Sequence, residues 1–182
     1  MLAQIAQFLI ETVAGFFVFA LLARFHFQWL RVPFRNSLGE FVVAVSNWLV
    51  VPARRLIPPL LGFDLASLSG AWLLQGAGLW LVNTVNGREF SGGLGGALGV
   101  LAALALIDLL RYSLYMLTGA VVVQAVLSWV NPHAPLALVF EVFSRPFLRP
   151  IRRIVRPIAN IDLAQLVLLL LQVLLIPVWY TR

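Results

Sequence analysis

The 182-residue chain contains no cysteine. That removes disulfides, thiolate metal sites, iron–sulfur clusters, CxxCH haem attachment and cysteine nucleophiles together. Charge is scarce as well. Only 11% of residues are charged and 62% are hydrophobic, with mean hydropathy +0.96, whereas soluble domains carry about 25% charged residues. A water-soluble globular fold is excluded, and the class is an all-α integral membrane protein. Lysine is missing too: all 13 basic residues are arginine, against 7 acidic ones, for a formal charge of +6. These arginines lie between apolar segments rather than in a separate basic domain, so they face lipid phosphates and the cytoplasmic leaflet, and nucleic acid is not an expected partner.

The apolar runs set the expected spans, each needing roughly 20 helical residues. The first runs from about Ala3 to Ala23 and continues through Phe25 to Leu30; Glu11 in its middle and the lack of a basic start and of an A-x-A site argue against a cleaved signal. The second, Leu65 to Asn86, is uncharged and is followed by the helix-punctuating turn Asn86-Gly87-Arg88-Glu89-Phe90-Ser91-Gly92-Gly93. Leu94 to Val130 is apolar except for Asp108 and Arg111. As one helix it would reach roughly 55 Å, nearly twice a ~30 Å hydrocarbon core, so it tilts, protrudes or breaks. The favoured reading is a span at about Tyr112 to Val130 preceded by a shorter helix, Leu94 to Ile107. Ile161 to Tyr180 completes a count of four spans.

Orientation follows from arginine. Arg24, Arg31, Arg35, Arg54 and Arg55 separate spans one and two, and Arg145, Arg149, Arg152, Arg153 and Arg156 separate spans three and four. Two like segments an even number of spans apart satisfy the positive-inside rule, placing both in the cytoplasm and both termini outside.

The two segments are also alike in sequence. Pro52-Ala-Arg54-Arg55-Leu-Ile-Pro-Pro59-Leu-Leu-Gly-Phe-Asp64-Leu65-Ala66 aligns at offset 98 with Pro150-Ile-Arg152-Arg153-Ile-Val-Arg-Pro157-Ile-Ala-Asn-Ile-Asp162-Leu163-Ala164, identical at seven of fifteen positions. Upstream, at offset 100, Trp29 matches Trp129, and Gln124 stands where the first copy has Arg24. The chain therefore divides into a first repeat at 1–86, a connecting turn and short helix at 87–110, and a second repeat at 111–182. The repeats are parallel, related by an axis along the membrane normal.

This doubled P-x-R-R…P…D unit, with the R-x-x-x-x-W of Arg24 to Trp29 before it, resembles the YggT family, whose YlmG relatives occur in plastids; the resemblance covers essentially the whole chain. It implies a small bacterial inner-membrane protein built of two such units. Bacterial members are linked to osmotic-stress tolerance and sit near cell-division genes, and plastid relatives to cytochrome b6 haem attachment and nucleoid organisation; the resemblance implies no reaction.

The residues themselves suggest four roles. Pro52/Pro59 and Pro150/Pro157 bound a short helix lying flat in the interface, from which Arg54, Arg55, Arg152 and Arg153 reach anionic lipids or a protein partner. Asp64 and Asp162 precede spans two and four, where they cap the helix or pair with the arginines of their own unit. Glu11, Asp108 and Arg111 are intramembrane charges expected near the outer ends, as a structural ion pair or, alternatively, an ion path. Gly95, Gly99 and Ala103 form a small face for packing within or between subunits, so a homo-oligomer is expected. His26 and His133 occupy non-equivalent repeat positions, so bis-histidine haem ligation is not expected. No nucleophile motif or phosphate loop is present; neither enzyme activity nor a cofactor is expected. Two functions remain: an assembly or membrane-organising factor presenting an arginine face, or a small channel or transporter supporting osmotic adaptation.

Overall fold

The computed structural model describes residues 1–58, 62–87, 93–131 and 134–154. Among these residues the chain is all helical: α1 Leu2–Trp29, α2 Ser37–Leu56, α3 Leu65–Val85, α4 Gly93–Val130 and α5 Pro135–Ile154. Three helices, α1, α3 and the Gly95–Ser128 part of α4, are long and apolar enough to cross a bilayer. The expected fourth span, Ile161 to Tyr180, lies outside the described residues.

Local chemistry places the helix ends. α1 closes with Arg31 in the left-handed region (φ 55°), where the Val32 N–H donates to the Phe27 carbonyl at 2.8 Å and Val32 is buried against the core. α2 starts at Asn36, whose side chain accepts from the Gly39 N–H at 2.9 Å. A Cβ at Gly39 would come 2.5 Å from the Phe34 carbonyl oxygen, so only glycine fits this entry turn.

Two expectations change here. Pro52 does not open a short helix; it lies inside the 20-residue α2, and Arg54 and Arg55 occupy that helix's last turn. Pro52 is exposed on α2, and the helix passes through it. Pro150, with Pro146, is likewise interior to α5 and exposed. Second, Leu94–Ile107 and Tyr112–Val130 are not separate helices: α4 runs unbroken for 38 residues. Asp108 and Arg111 do not break it because they pair with each other along the helix, 3.4 Å apart at i,i+3, which meets their charge without leaving the helical path.

α3 runs antiparallel to α1, from Asp64 beside Arg24, through Gly70 against Leu21 and Gly78 against Ala14, to Asn86 bonded to Gln7. A Cβ at Gly78 would sit 3.3 Å from the Ala14 Cβ, so small residues set this close approach, as is usual where helices meet in lipid. α2 packs on α1, with Phe41 edge-to-face against Phe16 and Trp48 edge-to-face against Phe17. α5 lies on α4, as α2 lies on α1, and reaches α1 through Phe143 beside His26 and Phe27. The core, with Val18, Leu21, Leu22, Val50, Val121 and Leu148 almost fully buried, fills the space between these contacts. Phe8, Leu9 and Val13, in the N-terminal half of α1, remain exposed, as lipid-facing residues do. The face of Gly95, Gly99 and Ala103 is exposed too, and nothing lies within 4 Å of a Cβ built at either glycine. It packs no helix within the described part of the chain.

Candidate functional site

A carboxylate that ends a membrane helix must be solvated, paired or neutral. Asp64, the N-cap of α3, is fully buried and meets that demand with five donors. Its oxygens accept from the Ser67 N–H at 3.4 Å and the Ser67 hydroxyl at 2.8 Å. Arg54, from the last turn of α2, closes on it in a fork, Nη2 to Oδ2 at 2.7 Å and Nε to Oδ1 at 3.4 Å. Arg24, from α1, brings Nε to 3.5 Å of Oδ2. Arg24 is itself buried and spends Nη1 on the Ser46 hydroxyl at 2.9 Å and Asn47 Oδ1 at 2.8 Å, both on α2. Gln28 on α1 adds a 3.4 Å contact from its Oε1 to Arg54.

One carboxylate thus ties three helices at one end of the bundle, between two guanidinium groups, leaving the cluster a net positive charge. Burial by itself pushes the Asp64 carboxyl upward and is the largest single influence. The hydrogen bonds from Arg54 and Ser67, with the Arg54 charge, outweigh it and hold the group below the ordinary carboxylate value.

The arginine pair expected to face lipid therefore divides. Arg54 closes on Asp64 while its own side chain stays 39% exposed, and Arg55 is exposed, together with Arg31 and Arg35 in the α1–α2 connection. Asp64 is at once a cap and an ion-pair partner. Arg152 and Arg153 lie in the last turn of α5, with side chains outside the described residues, as is all of Asp162. What the second copy does show is Gln124, in the position of Arg24, and Ser144, in the position of Ser46, both buried; the Gln124 Oε1 has no partner among the described residues. Ser46 and Ser144 make the same bond, each hydroxyl donating to the carbonyl four residues back, at 2.6 and 2.7 Å.

Ser46, Asn47, Ser67 and Gln28 were not singled out from sequence. The signal for the first two was there: they are polar residues on the otherwise apolar inner stripe of α2, between Val42 and Val50.

The intramembrane charges lie elsewhere. Asp108 pairs with Arg111 and accepts from Gln75 Nε2 at 3.0 Å. Gln75 is the middle residue of the 21-residue α3, so Asp108 is not near an outer end as expected but level with the centre of a candidate span. The reason is the continuity of α4, which carries Asp108 about 22 Å along the helix from Gly93. Glu11 is exposed and accepts from Gln7 at 2.8 Å. Among the described residues no group of His, Asp and Glu could hold a metal ion.

These features define a helical membrane protein whose first two candidate spans are locked to an amphipathic helix by a buried arginine–aspartate cluster. The chain belongs to the CCB3/YggT family, whose family model matches residues 3–85 and 103–180. It is 31% identical over 168 residues to the uncharacterized protein YggT of Escherichia coli K12, covering 90% of this chain and 83% of that one. It is 30% identical over 166 residues to the uncharacterized protein in the proC 3' region of Vibrio alginolyticus, covering 89% and 86%. An uncharacterized Pseudomonas aeruginosa protein is 31% identical over 161 residues, covering 87% and 80%. No solved structure matches the chain.

Proposed function

We infer that this chain is a non-enzymatic organising or assembly factor of the bacterial inner membrane, holding an arginine-bearing cytoplasmic face against anionic lipids and membrane-protein partners. Four spans in two parallel repeats, with both termini outside and self-association in the bilayer, complete the reading; its setting is osmotic-stress tolerance or cell division. One observation carries it. The Asp64 cluster fixes the C-terminal end of α2 to the junction of α1 and α3, so that exposed Arg31, Arg35 and Arg55 keep a set position at the end of two candidate spans. Phe41, Trp48 and Val51 of α2, the first two with one edge against α1, are exposed and add an apolar surface suited to the boundary between headgroups and acyl chains. The two stretches matched by one family model support the repeat.

The test is retention of anionic lipid on the purified protein, followed by native mass spectrometry. Each arginine near an anionic leaflet contributes about 1 kcal/mol, so changing Arg31, Arg35 and Arg55 together to Gln is expected to weaken retention of phosphatidylglycerol by about a hundredfold and leave phosphatidylcholine unaffected. Equal retention by the variant sinks the reading.

A second reading, a small channel or transporter supporting osmotic adaptation, is favoured by the position of Asp108, Arg111 and Gln75 at mid-span, where ionisable groups mark transport paths by default. Solute flux into liposomes holding only this protein, lost on changing Glu11 and Arg111 to Gln, would establish it in place of the first.

A further inference from the structure

Between α1, α3, α4 and α5 lies a cavity of about 560 Å³, within the range of small-molecule sites. Its wall is almost wholly apolar, built from residues such as Phe25, Leu68, Leu114 and Phe147, with Trp29 at one edge. His26 also lines it, and the chemistry of that ring is fixed. Nδ1 lies 2.7 Å from the Leu22 carbonyl oxygen; a carbonyl has no proton to give, so Nδ1 carries the hydrogen and, in the neutral ring, Nε2 presents a bare lone pair. Among the described residues none donates to Nε2, although His26 is only 8% exposed. An acceptor without a donor is costly in an apolar setting, and His26 lines a space large enough for a ligand.

We propose that this cavity binds a membrane-soluble molecule with an apolar body and a hydroxyl group, the hydroxyl donating to His26 Nε2 and the body lying along Phe25, Leu114 and Phe147. The hydrogen bond selects the alcohol over a plain hydrocarbon, because only the alcohol supplies the missing donor. Arg111, which also lines the cavity, adds a cationic group that disfavours an ammonium head.

Bromine quenches indole fluorescence on contact, and Trp29 supplies the indole. The purified full chain in detergent is titrated with a bromine-terminated long-chain alcohol and, in parallel, with the bromine-terminated alkane of the same length. The alcohol is expected to quench with a saturable part that the unbrominated alcohol displaces and that is lost in Trp29→Phe, the other five tryptophans giving only the linear quenching of alcohol dissolved in the detergent. His26→Phe, which keeps an aromatic ring in place, is expected to weaken the alcohol about fivefold to tenfold, the worth of one hydrogen bond, without changing the alkane. Leu114→Trp fills the cavity and is expected to remove both. Equal binding of alcohol and alkane to the unaltered chain, or an unchanged alcohol affinity in His26→Phe, overturns the proposal. So does the absence of saturable quenching, which would mean that another part of the chain fills the cavity.

Discussion

The Asp64 carboxylate lies 2.7 Å from Arg54 Nη2 with its side chain fully shielded, although the two residues stand on different helices on either side of a turn. Arg24 completes the arrangement from a third helix. Removing one partner of a buried pair costs more than the pair is worth, because the charge left behind has neither water nor counter-ion. Asp64→Leu is therefore expected to destabilise the protein by about 3–5 kcal/mol, read as thermal unfolding in detergent by circular dichroism. Adding Arg24→Leu is expected to recover part of that loss, with a coupling of about 1–3 kcal/mol. A double variant less stable than Asp64→Leu alone would show the two side chains acting independently.

The same cluster sets an acid limit. Asp64 titrates below its unfolded value because Arg54 and Ser67 bind the charged form and together outweigh burial. Its contribution is therefore complete above the ordinary aspartate pKa of about 3.9 and is lost as pH falls from there toward the lower folded value. Melting temperature is expected to be level in this respect above about pH 4 and to drop below it. Asp64→Asn, which keeps a capping oxygen but cannot titrate, should flatten the drop.

Much of the helical layout was legible because length and apolarity decide it: the uncharged run from Leu65 became α3 within one residue of its expected end. What misled were residues whose role is set across space. Pro52 carries the local signal of a first turn, yet α2 had already begun at Ser37 and passes through it. Asp108 and Arg111 read as a helix end because charge is costly in lipid; Gln75 on another helix, itself only a polar residue in an apolar run, offsets part of that cost. Asp64 was legible as a cap and as a partner for its unit's arginines, whereas Ser46 and Asn47 acquire meaning only once Arg24 is seen to reach them.

Glycines separate close approach from open surface. In Gly39→Ala the new Cβ would meet the Phe34 carbonyl oxygen at 2.5 Å and its Cα at 2.8 Å, and backbone atoms yield little. A loss of about 1–3 kcal/mol is expected. Gly99→Ala meets nothing within 4 Å and replaces a poor helix former on α4 with a good one, so it is expected to be neutral or to gain up to about 1 kcal/mol. Melting curves of the two variants in the same detergent check both signs. A large loss at Gly99 under conditions that keep the protein associated would instead place that face in a contact between copies.

The mid-span bond between Gln75 and Asp108 ties α3 to α4 at 3.0 Å, with Asp108 also held by Arg111, alongside the 2.9 Å bond from Trp72 Nε1 to the Ala102 carbonyl. Interhelical hydrogen bonds in membranes are worth about 0.6 kcal/mol on average and at most about 1.7, so a cycle of Gln75→Leu and Asp108→Leu, each of which removes the bond, should return a coupling in that range. Asp108→Leu should cost more than Asp108→Asn: both remove the counter-charge of Arg111, but only the amide keeps an oxygen for Gln75 to bond. If the carboxylate serves transport, Asp108→Asn removes flux while stability barely changes; if it serves only to join α3 to α4, stability and any measured activity fall together through the series. The comparison of Asn with Leu at this one position therefore separates a fold-building charge from a working one.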